Sequence, residues 1–164
     1  MTLPARLRVV AGTLLLLVSL PVNAKCGDMS MFNELGDADE IRGSADSACI
    51  TQNGDWNVSA IRQQGRLNQA AIQQTGGYNT ASISQNGTGN LGEQYQTGTG
   101  NSAEISQTGE GNYAVQEQNG IGNLASATQV GANNTITQAQ VGNGLSSVVT
   151  QVGYGIVINV TQSR

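Results

Sequence analysis

From residue 52 onward, apolar and polar positions alternate in short bursts such as "VSAIRQ", "TASISQ" and "SAEISQ". Alternation of period two is the mark of a strand with one buried and one wet face. The bursts recur every 11 residues, so the chain is read in rows. Aligned on Gln, the rows begin at Gln52, Gln63, Gln74, Gln85, Gln96, Gln107, Gln118, Gln129, Gln140 and Gln151, and Gln162 closes the series. The third position is Gly in every row: Gly54, Gly65, Gly76, Gly87, Gly98, Gly109, Gly120, Gly131, Gly142 and Gly153. The sixth is Asn57, Asn68, Asn79, Asn90, Asn101, Asn112, Asn123 and Asn134, then Leu145 and Ile156.

In a strand, positions six, eight, ten and the next Gln share one parity and point to one face. Position eight is small or apolar (Ala70, Ala81, Ala103, Ala114, Ile136), and position ten is often Ile or Val (Ile61, Ile72, Ile83, Ile105, Val149). Each row is therefore a short strand followed by a tight four-residue turn, with Gly at a backbone angle other residues resist. At position ten Ile61, Ile83 and Ile105 occupy alternate rows, whereas Gln94, Gln116 and Gln138 stand in the later intervening ones. The structural unit is thus about 22 residues, two strands and two turns, which cannot bury its apolar face alone. The predicted fold is all-β: a flattened β-solenoid of about five rungs, two facing parallel sheets, with about 4.8 Å between rungs.

The stack explains why amides share a face with Ile and Ala. A Gln above a Gln donates to one neighbour and accepts from the other, a ladder inside a dry interface. Each bond contributes about 0.5–1.5 kcal/mol net, whereas an unmade buried amide costs about 1–3 kcal/mol. A column of identical residues is what this demands. Such a stack has two open ends, and a head-to-tail contact between them propagates as a filament.

Four segments are expected. Residues 1–24 carry Arg6 and Arg8, the run "VVAGTLLLLVSL" and small residues up to Ala24, the pattern of a secretory signal peptide. Residues 25–40 form an acidic segment. Residues 41–51, "IRGSADSACIT", are a degenerate capping row with Gly43, Asp46, Ala48 and Ile50 in the repeat's columns; residues 52–164 are the repeats. Both prolines, Pro4 and Pro21, precede residue 25, so the remainder lacks the commonest strand blocker. Of 11 acids, six fall between Asp28 and Asp46, which leaves the repeats nearly neutral and without a basic patch. Nucleic acid is thereby disfavoured as a partner.

Cys26 and Cys49 point to a disulfide that pins the acidic segment across one end; free thiols or an intermolecular bridge are the alternatives. No metal or other cofactor is expected, for there is no His and no third Cys. Asp55, Glu93, Glu104, Glu110 and Glu117 fall in different columns, so no shared acid cluster forms, and neither an enzyme nor a small-molecule substrate is expected. Trp56 and Tyr78 share a turn position one rung apart and are expected to stack.

Rows such as "QTGGYNTASISQ" and "QTGTGNSAEISQ" resemble the curlin repeat of curli subunits, the extracellular amyloid fibres of bacterial biofilms. The resemblance covers residues 41 to 162. It implies an extracellular fibre subunit on the Gram-negative cell surface, with roles in adhesion and matrix. Its partners would be itself or a related curlin, and the outer-membrane machinery that secretes and assembles curli. The resemblance assigns templated growth chiefly to the outer amides, here Gln52, Asn57, Gln63 and Asn68 at one end and Gln140, Gln151 and Gln162 at the other. The irregular last rows and the absence of a Gly-rich leader segment after residue 24 lean to the minor, nucleating curlin. A monomeric, capped solenoid acting as an adhesin is the alternative.

Overall fold

The computed structural model describes residues 7–10, 13–19 and 46–164, all strand or turn. The strands are β1 (Leu7–Val10), β2 (Thr13–Ser19), β3 (Ser47–Asn53), β4 (Val58–Arg66), β5 (Gln69–Gly77), β6 (Thr80–Thr88), β7 (Leu91–Thr99), β8 (Ser102–Glu110), β9 (Tyr113–Ile121), β10 (Leu124–Ala132), β11 (Thr135–Asn143), β12 (Ser146–Tyr154) and β13 (Val157–Ser163). One sheet runs β3-β5-β7-β9-β11-β13. The other runs β4-β6-β8-β10-β12 and is extended beyond β4 by β2 and β1. From β3 onward all pairing is parallel and in register at 22 residues: Gln63 faces Gln85, and Gln85 faces Gln107. One 11-residue row carries the chain to the opposite sheet and the next row brings it back, which is the expected β-solenoid.

The core is thin. Ile61, Ile83 and Ile105 stack in one sheet and Ile50 and Ile72 in the other, with Ala70, Ala81 and Ala114 between. Amides fill the rest, since Gln and Asn of the repeat columns are as buried as the isoleucines.

The turns differ from expectation. A four-residue break occurs only at Gly54–Asn57; strands β4 to β12 run nine residues, through the third-position Gly, and two residues such as Tyr78 and Asn79 make the corner. The Gly column bends the strand without ending its pairing. Gly87 has φ +130°, and a Cβ there would lie 1.9 Å from the carbonyl oxygen of Gly109 in the next rung. A φ this far beyond the left-handed helical region is itself almost confined to glycine, and the close approach leaves room only for hydrogen. The fifth position is also left-handed, at Trp56, Leu67, Tyr78 and Asn133 as well as at six glycines including Gly89 and Gly100. The expected stack is present there: the rings of Trp56 and Tyr78 lie 6.4 Å apart at 11°.

Of the capping row, the structure describes Asp46 to Thr51. Asp46 takes the Asn position, its Oδ1 accepting from Asn68 N at 2.8 Å and Asn68 Nδ2 at 3.2 Å. Ile41 to Ala45 and the acidic segment lie outside the described residues. Part of the run expected to be a leader forms β1 and β2, with β2 antiparallel to β4 (Leu14 opposite Gln63, Leu16 opposite Ile61).

Candidate functional site: the amide ladders

Two Gln ladders run the length of the solenoid, one per sheet. In the first, Gln52 donates from Nε2 to Gln74 Oε1 at 2.7 Å, and the sequence continues through Gln96, Gln118 and Gln140 to Gln162 at 2.7–2.9 Å. In the second, Gln63 donates to Gln85, then Gln107, Gln129 and Gln151 follow at 2.8–3.0 Å. The second amide hydrogen crosses the interior. Gln85 Nε2 donates also to the carbonyl oxygen of Gln69 in the opposite sheet at 2.8 Å, as Gln96 does to Thr80 at 3.0 Å. A mid-stack Gln therefore has both donors used and its oxygen filled from the rung before, which is how an amide core avoids the cost of burial. The amides thus also bridge the two sheets.

The Asn columns hold the corners, with the opposite polarity. Asn90 donates from N and Nδ2 back to Asn68 Oδ1 at 3.2 and 3.1 Å, and from Nδ2 forward to the Gly109 carbonyl at 3.0 Å. Asn57, Asn79, Asn101 and Asn123 form one corner column; Asn68, Asn90, Asn112 and Asn134 form the other. Each column ends on an apolar residue whose backbone alone takes part: Leu145 N donates to Asn123 Oδ1 at 2.9 Å and Ile156 N to Asn134 Oδ1 at 3.1 Å.

A third, shorter ladder was not anticipated. Gln94, Gln116 and Gln138, the amides at position ten, donate one to the next at 2.9 and 2.7 Å, and Gln138 ends on Ser147 Oγ at 2.8 Å. Its signal was in the sequence as three Gln spaced by 22 in an apolar column. Ser59 is another polar interior residue that pattern reading passed over; it accepts from Gln52 Nε2 at 2.9 Å and donates to Gln74 Oε1 at 2.6 Å.

The ladders are directional and their ends are unlike. Three buried oxygens accept no hydrogen bond among the described residues, Gln52 Oε1, Gln63 Oε1 and Gln94 Oε1, and each is the first member of its ladder. The rung before Gln94 presents Ile72. Gln52 and Gln63 begin the solenoid itself. At the other end Gln151 and Gln162 have no Gln beyond them; their Nε2 donate to the carbonyls of Thr135 and Ser146 at 3.0 Å each, and Gln151 Nε2 donates also to the Ile156 carbonyl at 3.3 Å. The N-terminal end is thus an acceptor face and the C-terminal end a donor face.

On the outer surface, polar residues give way to apolar ones toward the C-terminus, where Val148, Val152, Tyr154 and Val157 are exposed. Glu93 lies beside Tyr95 and Tyr113, and burial, followed by the Glu93 carboxylate, pushes both phenols above their usual range. Among the described residues no three His, Cys, Asp or Glu come together as metal ligands. Cys49 is disulfide-bonded. Cys26, its expected partner, lies outside the described residues.

Comparison with known families identifies the repeat. The model of the family described as "Curlin associated repeat" matches four overlapping segments, residues 43–76, 60–87, 78–109 and 98–131. No curated protein and no solved structure matches the chain.

Proposed function

The chain belongs to the curlin family, and on that premise we propose that it is a structural subunit of an extracellular, curli-type amyloid fibre that grows or nucleates by head-to-tail stacking of its amide ladders. The observation that carries this reading is the one-way run of the Gln ladders: the Oε1 atoms of their first members, Gln52 and Gln63, accept nothing among the described residues, while Gln151 and Gln162, the last members, have no Gln beyond them to donate to. Once residues 1–24 are removed, a second solenoid pairs these acceptors with donors and the edge strands with one another, each such hydrogen bond contributing about 0.5–1.5 kcal/mol net. The long amide columns, from Gln52 and Asn57 to Gln162, act in this reading as the template that copies one rung onto the next.

Curlins are fibre subunits and not enzymes, and the reading extends to this chain the roles of such fibres in adhesion and biofilm matrix. It places residues 1–24 as a signal peptide, the product outside the outer membrane, and the curli secretion and assembly machinery among its partners. A bridge between Cys26 and Cys49 would tether the acidic segment to the outer face of β3. The irregular last rows, with Leu145 and Ile156 in the Asn column and a basic end at Arg164, support the minor, nucleating subunit over the major one in this reading.

The test is fibre growth followed with an amyloid dye, using the exported chain (residues 25–164) alone and with a related major curlin. Growth alone after a lag supports an elongating subunit. Loss of the partner's lag at low molar ratio supports a nucleator. A chain that does neither contradicts the fibre reading.

A further inference from the structure

The described solenoid contains an odd number of strands. Six belong to the sheet of β3 and, without β1 and β2, five to the sheet of β4. It begins with β3 in one sheet and ends with β13 in that same sheet, so it is five and a half rungs long. If a second copy docked with its sheets continuing their own kind, its β3 would cover β13, but nothing of the described solenoid would cover β12. Val149 and Gln151, both buried, would then face a gap one strand wide.

We propose that successive subunits add with a half-turn about the fibre axis, so that β3 of the incoming copy continues the sheet of β12 and β4 continues the sheet of β13. The inference rests on the fibre reading and deepens it by specifying the contact. Two rows of one repeat are equivalent under this rotation, because an 11-residue row is what carries the chain from one sheet to the other. The columns match when it is applied. Val149 meets Ile50 of the next copy and Gln151 meets its Gln52, while Val160 meets its Ile61 and Gln162 its Gln63.

Polarity matches as well. Gln162 Nε2 has one amide hydrogen free to point forward, and Gln151 Nε2 can share its second, now on the Ile156 carbonyl at 3.3 Å, as Gln107 shares its own between the Asn112 carbonyl and Gln129; the acceptors they reach are Gln52 Oε1 and Gln63 Oε1, which accept nothing among the described residues. At the corners Leu145 meets Asp46, and no side-chain bond crosses the joint: Leu145 has no side-chain acceptor, the Asp46 carboxylate has no donor, and its Oδ2 is left to water at this half-buried corner. Its Oδ1 is already taken by Asn68. Asn57 meets Ile156 and keeps its own bond to the Gly76 carbonyl at 2.9 Å. The joint therefore continues both Gln ladders across chains and interrupts only the corner Asn columns, which makes it the weakest level of the fibre.

Helical reconstruction of fibres grown from the exported chain reads this directly. With about 4.8 Å per rung, the half-turn joint gives a rise of about 26 Å per subunit and a rotation near 180°. A same-sheet joint, with the empty level left open or filled by the acidic segment, gives about 29 Å, six rungs, and a rotation near zero. The first result supports the proposal; the second overturns it and leaves the fibre reading standing. Failure to form fibres, alone or on a related curlin, overturns the fibre reading and the half-turn with it.

Discussion

Gln52 donates from Nε2 to Gln74 Oε1, one rung along, at 2.7 Å, and its own Oε1, equally buried, accepts nothing among the described residues. The same residue is thus satisfied on the side facing its own chain and unsatisfied on the side facing outward. In a column of identical groups this asymmetry arises only at an end, so position in the column, and not residue type, separates ladder from docking surface.

Gln96→Leu is expected to damage the stack more than Gln52→Leu. The first leaves Gln74 without its forward acceptor and Gln118 without its donor, both deep in the interior. At about 1–3 kcal/mol for each orphaned group, the soluble concentration left in equilibrium with fibres rises at least several-fold. The second removes an oxygen with no partner among the described residues and a donor whose acceptor, Gln74 Oε1, keeps the Ser59 hydroxyl, so the chain's own rungs lose less and the defect appears in the rate at which ends capture subunits. Sedimentation of fibres together with seeded growth rates separates the two effects.

Much of this was legible before any coordinates. The 11-residue rows, the 22-residue unit and the in-register sheets follow from Gln, Gly and Asn recurring with the alternation of Ala and Ile between them. Asp46 was readable as an Asn stand-in because it falls in that column. The turns were misjudged because Gly was taken as a turn residue; only backbone coordinates show that the strand continues through it, with the next rung's carbonyl where a Cβ would be. Ladder polarity was hidden for a related reason. Each Gln column begins and ends on the same residue type, and which atom points forward is set by how the strand presents its amide.

Glycine columns three and five of the row predict opposite outcomes for the same substitution. Gly98→Ala puts a methyl 1.9 Å from the Gly120 carbonyl oxygen, in backbone, at φ +119°, and it is expected to abolish regular stacking and fibre growth. Gly100→Ala, at φ +68° with nothing within 4 Å, costs only the left-handed strain of about 1–2 kcal/mol and still forms fibres. Far-UV circular dichroism and dye binding on the two variants make the comparison.

Leu67 sits at φ +57° and is exposed, a conformation that disfavours a bulky side chain. Asn tolerates this region and already occupies the equivalent corner at Asn133, φ 55°. Leu67→Asn is therefore expected to stabilise the stack by up to about 1 kcal/mol, seen as a higher denaturant midpoint for fibre dissolution. No change, or a lower midpoint, would show that Leu67 makes a contact worth more than its strain.

Strand β2 lies antiparallel along β4, opposite the Gln63 column, in a solenoid whose other neighbours are all parallel. While it is there, β4 is not available to another chain. The full-length chain (residues 1–164) is accordingly expected to add to preformed fibres far more slowly than residues 25–164. Seeded growth with each form checks this, and equal rates would show that β2 leaves the edge without hindrance.

The central claim is that one chain's ladders continue into the next. X-ray diffraction from aligned fibres of the exported chain tests it most directly: a sharp meridional reflection near 4.8 Å with an equatorial one near 10 Å is the predicted result. A chain that stays monomeric under sedimentation at every concentration and gives no such pattern, alone or seeded, would contradict it.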